Sequence, residues 1–191
     1  MKKYNSKGAM EMSIGTIVTI VLLMSVLVLG LFFVQKIFSS GSNAIDSIDN
    51  QVQNEITKLF SEDGKSLAIY PSSQDVTVKR GDTPKGFAFS IKNADVESHS
   101  YVYTLSAPEN DNFDYKAQCG STMTKEKAES YLLLTGGKIS LGAGSTPSNP
   151  ELVRFKVPET APPCTIPYVL DIIYEDSGEP FDGAKIYVTF E

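Results

Sequence analysis

The sequence predicts a mainly β protein behind an N-terminal membrane helix. Three observations lead there: an uncharged, predominantly apolar run from Met12 to Val34, a helical apolar stripe between Ile45 and Phe60, and alternation of apolar and polar residues from Leu67 to Phe190. In chain order the 191 residues divide into a basic leader (1–8), a transmembrane helix (9–38), an amphipathic stalk helix (39–64) and a β-sandwich ectodomain (65–191).

The apolar run is 23 residues long and contains no charge and no proline. At ~1.5 Å rise per residue such a helix spans ~34 Å, enough to cross a hydrocarbon core of ~30 Å. A cleavable secretory segment is only ~7–15 apolar residues and ends at a small-residue cleavage site. Here the run passes directly into Gln35-Lys36-Ile37-Phe38, so it reads as a retained, single-pass anchor in the cell membrane. Lys2, Lys3 and Lys7 precede it, and positive flanking charge resists translocation. The N-terminus is therefore expected in the cytoplasm and everything after Phe38 outside.

Past the anchor, Ser39-Ser40-Gly41-Ser42 is a polar break, and Asn43 can cap the helix that follows. Ile45, Ile48, Val52, Ile56 and Leu59/Phe60 recur at helical spacing, with Asp46, Asp49, Gln51, Gln53 and Asn54 on the other face. The helix should end near Asp63-Gly64. Two uses of the stripe stay open: it lies on its own globular domain, or it packs against a copy of itself or another membrane protein.

Six runs then take every second position: Val76/Val78, Phe87/Phe89/Ile91, Tyr101/Tyr103/Leu105, Val153/Phe155/Val157, Tyr168/Leu170/Ile172 and Ile186/Val188/Phe190. Lys79, Ser90, Thr104, Arg154, Lys156, Asp171 and Thr189 fall between them, which predicts one buried and one wet face. Turn signals separate the runs, among them Arg80-Gly81-Asp82-Thr83-Pro84 and Asp176-Ser177-Gly178-Glu179-Pro180. With Leu67–Tyr70 and Lys138–Leu141 there are about eight short strands, which suits an immunoglobulin-like sandwich. Pro167 inside a run implies a bulge or an edge. Ala107–Gly137 is long for a connection, and Thr124–Leu134 has helical composition, so one helical excursion is expected there.

From Phe38 onward 13 Lys and Arg face 22 Asp and Glu, a formal charge of −9 that argues against nucleic-acid binding. Cys119 and Cys164 both lie in the exterior portion, where oxidising conditions would pair them across a loop of 46 residues. Two unrelated buried thiols are the alternative. His99 is the only histidine and no cysteines are closely spaced, so neither a metal site nor a cofactor is expected. His99 itself reads as a surface turn residue. Glu109-Asn110-Asp111-Asn112-Phe113-Asp114 places oxygen ligands at alternate positions but lacks the glycine and later glutamate of a calcium loop, and reads as a solvated acidic loop. In Arg80-Gly81-Asp82 the glycine is explained by a tight turn. No nucleophile elbow or phosphate loop occurs, so the chain is not read as an enzyme.

The segment Lys7-Gly8-Ala9-Met10-Glu11-Met12-Ser13-Ile14-Gly15-Thr16-Ile17-Val18 resembles the class III signal peptide of archaeal type IV pilin-like proteins and archaellins. The resemblance covers about the first 35 residues. It implies that a membrane peptidase cuts on the cytoplasmic side between Gly8 and Ala9, leaving the apolar helix on the mature protein. In the pilin family an acidic residue early in the mature helix neutralises a neighbouring subunit's terminal amine. Glu11 would be the third mature residue, whereas the family places that residue fifth, and Glu11 also suits the positive end of a helix. The β-domain is similar in general plan to the immunoglobulin-like modules of archaeal surface proteins and to the archaellum's membrane-anchored stator subunits. These likenesses imply a membrane-anchored structural or assembly component whose partners are the membrane and other surface or pilin-like subunits, itself included. A monomeric anchored module that recognises an envelope protein or glycan, chiefly through the Ala107–Gly137 loop, is the alternative.

Overall fold

The computed structural model describes residues 14–39, 45, 48–62 and 64–191; side chains at 14, 32–39 and 62 are outside that description. The chain divides into two compact units, residues 1–41 and 42–191. The first contains α1 (Ile14–Ser39), 26 residues long. A helix of that length measures ~39 Å. Among the residues whose side chains are described, Gly15 to Leu31 in α1, no helix is long and apolar enough to cross a membrane.

The second unit is mainly β. Its strands are β1 (Leu67–Tyr70), β2 (Asp75–Val78), β3 (Lys85–Ile91), β4 (His99–Ser106), β5 (Gly136–Leu141), β6 (Glu151–Phe155), β7 (Cys164–Tyr174) and β8 (Pro180–Phe190). They form a three-stranded sheet, β1-β3-β6, and a five-stranded sheet, β2-β8-β7-β4-β5. Every described pairing between strands is antiparallel except that of β2 with β8. All eight expected runs are strands. The alternating residues meet between the sheets, where Phe87, Phe89, Phe155, Tyr168, Leu170 and Phe190 are fully buried. Pro167 sits opposite Tyr187 on β8, beyond the last β4 partner at Val169, so β7 is an edge on that side there. The irregularity in β7 falls elsewhere, between Ile172 and Ile173.

The stalk expectation needs two corrections. The helix, α2, spans Asn50–Glu62 and is capped by Asp49, whose Oδ1 accepts from the Val52 amide at 3.0 Å; Asn43 lies outside the described residues. Ile45 is not helical. Its amide donates to the Gly86 carbonyl at 2.8 Å and its carbonyl accepts from the Gly86 amide at 2.7 Å, a two-bond antiparallel bridge. This bridge covers the edge of β3 beyond the last β1 pair, Tyr70 with Ala88. Gly86 is required there, since a Cβ would run into the Val153 carbonyl on β6.

Of the two uses left open for the stripe, the described residues carry the first. Val52, Ile56 and Phe60 are 2, 3 and 8% exposed and form a cluster with Ala68 of β1 and Ala88 of β3; Ile45, Ile48 and Leu59 pack at its margin. Burying each such side chain stabilises by ~1.5–3 kcal/mol. The outer face of β3 is Gly86, Ala88 and Ser90, small residues that admit a helix, so Ser90 is buried rather than wet. β3 is covered on both faces, with its large residues toward the sandwich and its small ones toward α2.

Candidate functional site

Residues 107–135 leave the five-stranded sheet after β4 and return to it at β5. They contain two short helices where one was expected: α3 (Tyr115–Cys119) and α4 (Lys125–Ser130). Asp114 caps α3 by accepting from the Ala117 amide, and Thr124 caps α4 by accepting from the Lys127 amide. The chain then stops being helical. Tyr131 to Leu133 run along the open edge of β6: the Leu133 amide donates to the Arg154 carbonyl and the Lys156 amide to the Tyr131 carbonyl. Leu132 bridges Phe155. The excursion thereby extends the three-stranded sheet instead of hanging from it, and Met123, Ala128 and Tyr131 enter the main core.

Three internal ties hold it. Cys119 and Cys164 form the expected disulfide, with Cα atoms 5.0 Å apart, joining the end of α3 to the start of β7. The Tyr168 hydroxyl donates to the Ala128 carbonyl at 2.8 Å, and the Tyr115 hydroxyl to the Pro108 carbonyl at 2.6 Å. Burial, aided by the charges of Glu129, Glu109 and Glu126, pushes the Tyr115 hydroxyl up to about 12. Burial likewise raises Tyr168 well above its ordinary value. Both phenols remain protonated donors at neutral pH.

The acidic turn is absorbed into this framework. Glu109 pairs with Lys125 at 2.5 Å, and Asp114 serves as the α3 cap. The hydrogen bond from Lys125 to Glu109 raises the ammonium above its ordinary value, against a smaller opposing effect of desolvation. Among the described residues no group of three or more His, Cys, Asp or Glu side chains is placed to hold a metal ion. Arg80 turns inward, its Nη1 donating to the Ala161 carbonyl at 2.8 Å, while Asp82 pairs with Lys85. The tripeptide is thus a turn with its arginine engaged.

His99 is not a free turn residue. It begins β4 with its side chain 21% exposed, its Nε2 lies 3.4 Å from Asp95 Oδ2, and its ring packs edge-on against Tyr174 and Tyr101. Phe181 completes this aromatic group. Burial, with the charges of Tyr174 and Asp95, pushes the Tyr101 hydroxyl up to about 12. That hydroxyl is buried without a hydrogen-bond partner among the described residues. The grouping escaped sequence reading because Tyr174 and Phe181 come from the β7–β8 hairpin, far along the chain from His99.

The remaining expected site residues divide in two. Lys7, Gly8, Ala9 and Glu11 lie outside the described residues, and Ile45, Ile48, Val52 and Ile56 belong to the α2 seat. In α1, Ile17 to Leu31 present apolar side chains exposed by 44–67%, and consecutive runs such as Ile20 to Leu23 and Val26 to Leu29 are exposed together. Its apolar surface therefore goes all the way round. The Thr19 and Ser25 hydroxyls donate back to the Gly15 and Val21 carbonyls, so neither needs a partner outside the helix.

These features define a β-sandwich that carries one helix on its three-stranded sheet and a disulfide-pinned excursion along its edge, with a separate all-round apolar helix before it. No family model matches the chain, and no curated protein matches it.

Proposed function

We propose that this chain is a single-pass, membrane-anchored cell-surface component, with α1 in the bilayer, the N-terminus cytoplasmic and the sandwich outside. The observation that carries the proposal is that α1 shows no polar face among its described side chains, Gly15 to Leu31, joined to the 23-residue uncharged run of the sequence. A helix apolar all round belongs in a core or a membrane. The disulfide supports an oxidising compartment for the second unit. The strand order supports an immunoglobulin-like plan: with the short β2 set aside, the first, second and fifth strands lie on one sheet (β1, β3, β6) and the third, sixth and seventh on the other (β4, β7, β8), where the fourth, β5, adds at the edge.

The class III-like leader favours a structural or assembly role, pilin-like or archaellum-associated, with subunits meeting through the anchor helix. A specific observation favours the second reading, a monomeric binding module: the stripe that offered a seam for self-association is spent on the domain's own sheet. Mass spectrometry of the mature N-terminus from native membranes tests the leader. Processing should expose Ala9, and Gly8→Val should block it; an intact Met1, or a start beyond Val34, overturns the pilin-like reading. A cysteine placed at Leu23 separates the two roles, since crosslinked oligomers support assembly and monomer alone supports the binding module.

A further inference from the structure

The wet face of the five-stranded sheet carries a cleft of about 490 Å³ where the start of the excursion overhangs β7 and β8. Its polar lining is Ser106, Glu109, Asn112, Asp171 and Lys185, with Val169 and Pro167 on β7. Register orders these groups. Tyr187 pairs with Pro167, Lys185 with Val169 and Gly183 with Asp171. From Tyr187 to the level of Asp171 is therefore four residues along β8, about 13 Å. Tyr187 is not part of the cleft's lining but adjoins it through its pairing with Pro167 at one end of this row, and it is 46% exposed, while Tyr101, Tyr103, Tyr115, Tyr131 and Tyr168 are all buried.

We propose that this cleft, with Tyr187 as its platform, binds a neutral oligosaccharide. Sugars offer apolar C–H faces beside hydroxyls that both donate and accept, so their site needs an exposed ring next to mixed polar groups. The electron-rich face of a tyrosine suits the first requirement. Carboxylates at Asp171 and Glu109 accept, the Lys185 ammonium donates, and the Asn112 amide and Ser106 hydroxyl do both. A protein partner is the poorer fit, because the apolar lining is Ala107, Pro108, Pro167 and Val169 with one ring beside it, small groups interleaved with five polar ones and short of the desolvated core a protein interface requires.

The overhanging wall is also held ready. The Glu109 carbonyl accepts from the Asn112 and Phe113 amides, the Tyr115 hydroxyl grips the Pro108 carbonyl from behind, and Lys125 holds the Glu109 side chain. The disulfide then locks α3 to β7. A wall ordered before binding loses little freedom on binding, which is how a short polar cleft can retain a ligand. The inference rests on the binding-module reading and on the domain's exposure at the cell surface. It does not depend on how the leader is processed, so the N-terminal experiment and the one below can fail independently.

The test uses the full chain in a detergent without a sugar headgroup, against immobilised di- and tetrasaccharides of glucose, mannose, galactose and N-acetylglucosamine, alongside an immobilised random peptide pool. At least one saccharide should bind. Tyr187→Ala should weaken it about tenfold or more, whereas Tyr187→Phe, which keeps the ring, should stay close to the parent. Asp171→Asn should weaken binding, and Val96→Ser, on an exposed loop away from this row, should not. Unchanged melting of each variant confirms that the fold is intact. Binding of no saccharide, binding indifferent to Tyr187→Ala, or capture of peptide alone would overturn the proposal.

Discussion

α1 and α2 are both helices rich in aliphatic residues, yet they dispose of that surface in opposite ways. α2 gathers Val52, Ile56 and Phe60 on one side and loses them against Ala68 and Ala88, leaving Gln51, Asn54 and Lys58 in water. α1 has no such division; its apolar residues face every direction and stay exposed among the described residues. The number of apolar residues does not separate the two helices; their angular distribution does. A one-sided helix can be satisfied by its own domain, whereas one apolar all round needs an apolar surrounding.

A charge placed in the α2 seat should have the largest effect. Ile56→Asp buries an unpaired carboxylate against β1 and β3 and should destabilise the second unit by about 3 kcal/mol or more in thermal melts, without altering association. If association fails while melting is unchanged, the stripe joins subunits and the contrast between the helices collapses. Opening the disulfide comes next. Cys119→Ser with Cys164→Ser should cost about 2–4 kcal/mol, read by denaturant midpoint, because it frees the excursion in the unfolded chain.

Alkaline melting gives a graded loss. Tyr101, Tyr103 and Tyr115 are each raised to about 12, chiefly by burial. Below pH 10 both folded and unfolded states hold these protons and stability is flat. Between pH 10 and 12 the unfolded state binds fewer protons than the native one, so stability falls. Stability that is unchanged through that window would show that these phenols are not buried. The smallest effects come from single hydroxyls. Tyr168→Phe should cost about 1 kcal/mol, since the Ala128 carbonyl loses its buried donor, while Tyr101→Phe should be neutral or slightly stabilising because that hydroxyl bonds to nothing described. Comparing the two melts checks this, and equal losses would contradict it.

The strands were legible because nearly every one has a wet face, and alternation records that directly. The short β1, with Ala68 buried under α2, is one exception, and β3 is the other. Its second face is covered, and the sign of this was present in Gly86, Ala88 and Ser90, whose small size marks a seat for a helix, although nothing local says which helix. Ile45 was misread because its distance from Ile48 and Val52 fits a helix as well as a strand that lies outside it; the open edge of β3 decides its conformation. The disulfide could be anticipated from compartment alone. Parallel pairing of β2 with β8, the second short helix at Tyr115–Cys119 and the strand-like turn at Leu132 depend on contacts between segments distant in sequence. The cleft beneath Pro108 belongs with these, because its groups come from β4, the excursion, β7 and β8.

The contrast between the helices is tested most directly by treating intact cells with a membrane-impermeant amine reagent, washing the membranes in alkaline carbonate, and mapping the modified lysines by mass spectrometry. The chain should remain in the carbonate pellet, held by α1, with the exposed Lys79, Lys116 and Lys185 of the second unit already modified before lysis. Release of the chain into the supernatant, or modification of those lysines only after the cells are opened, would contradict the account.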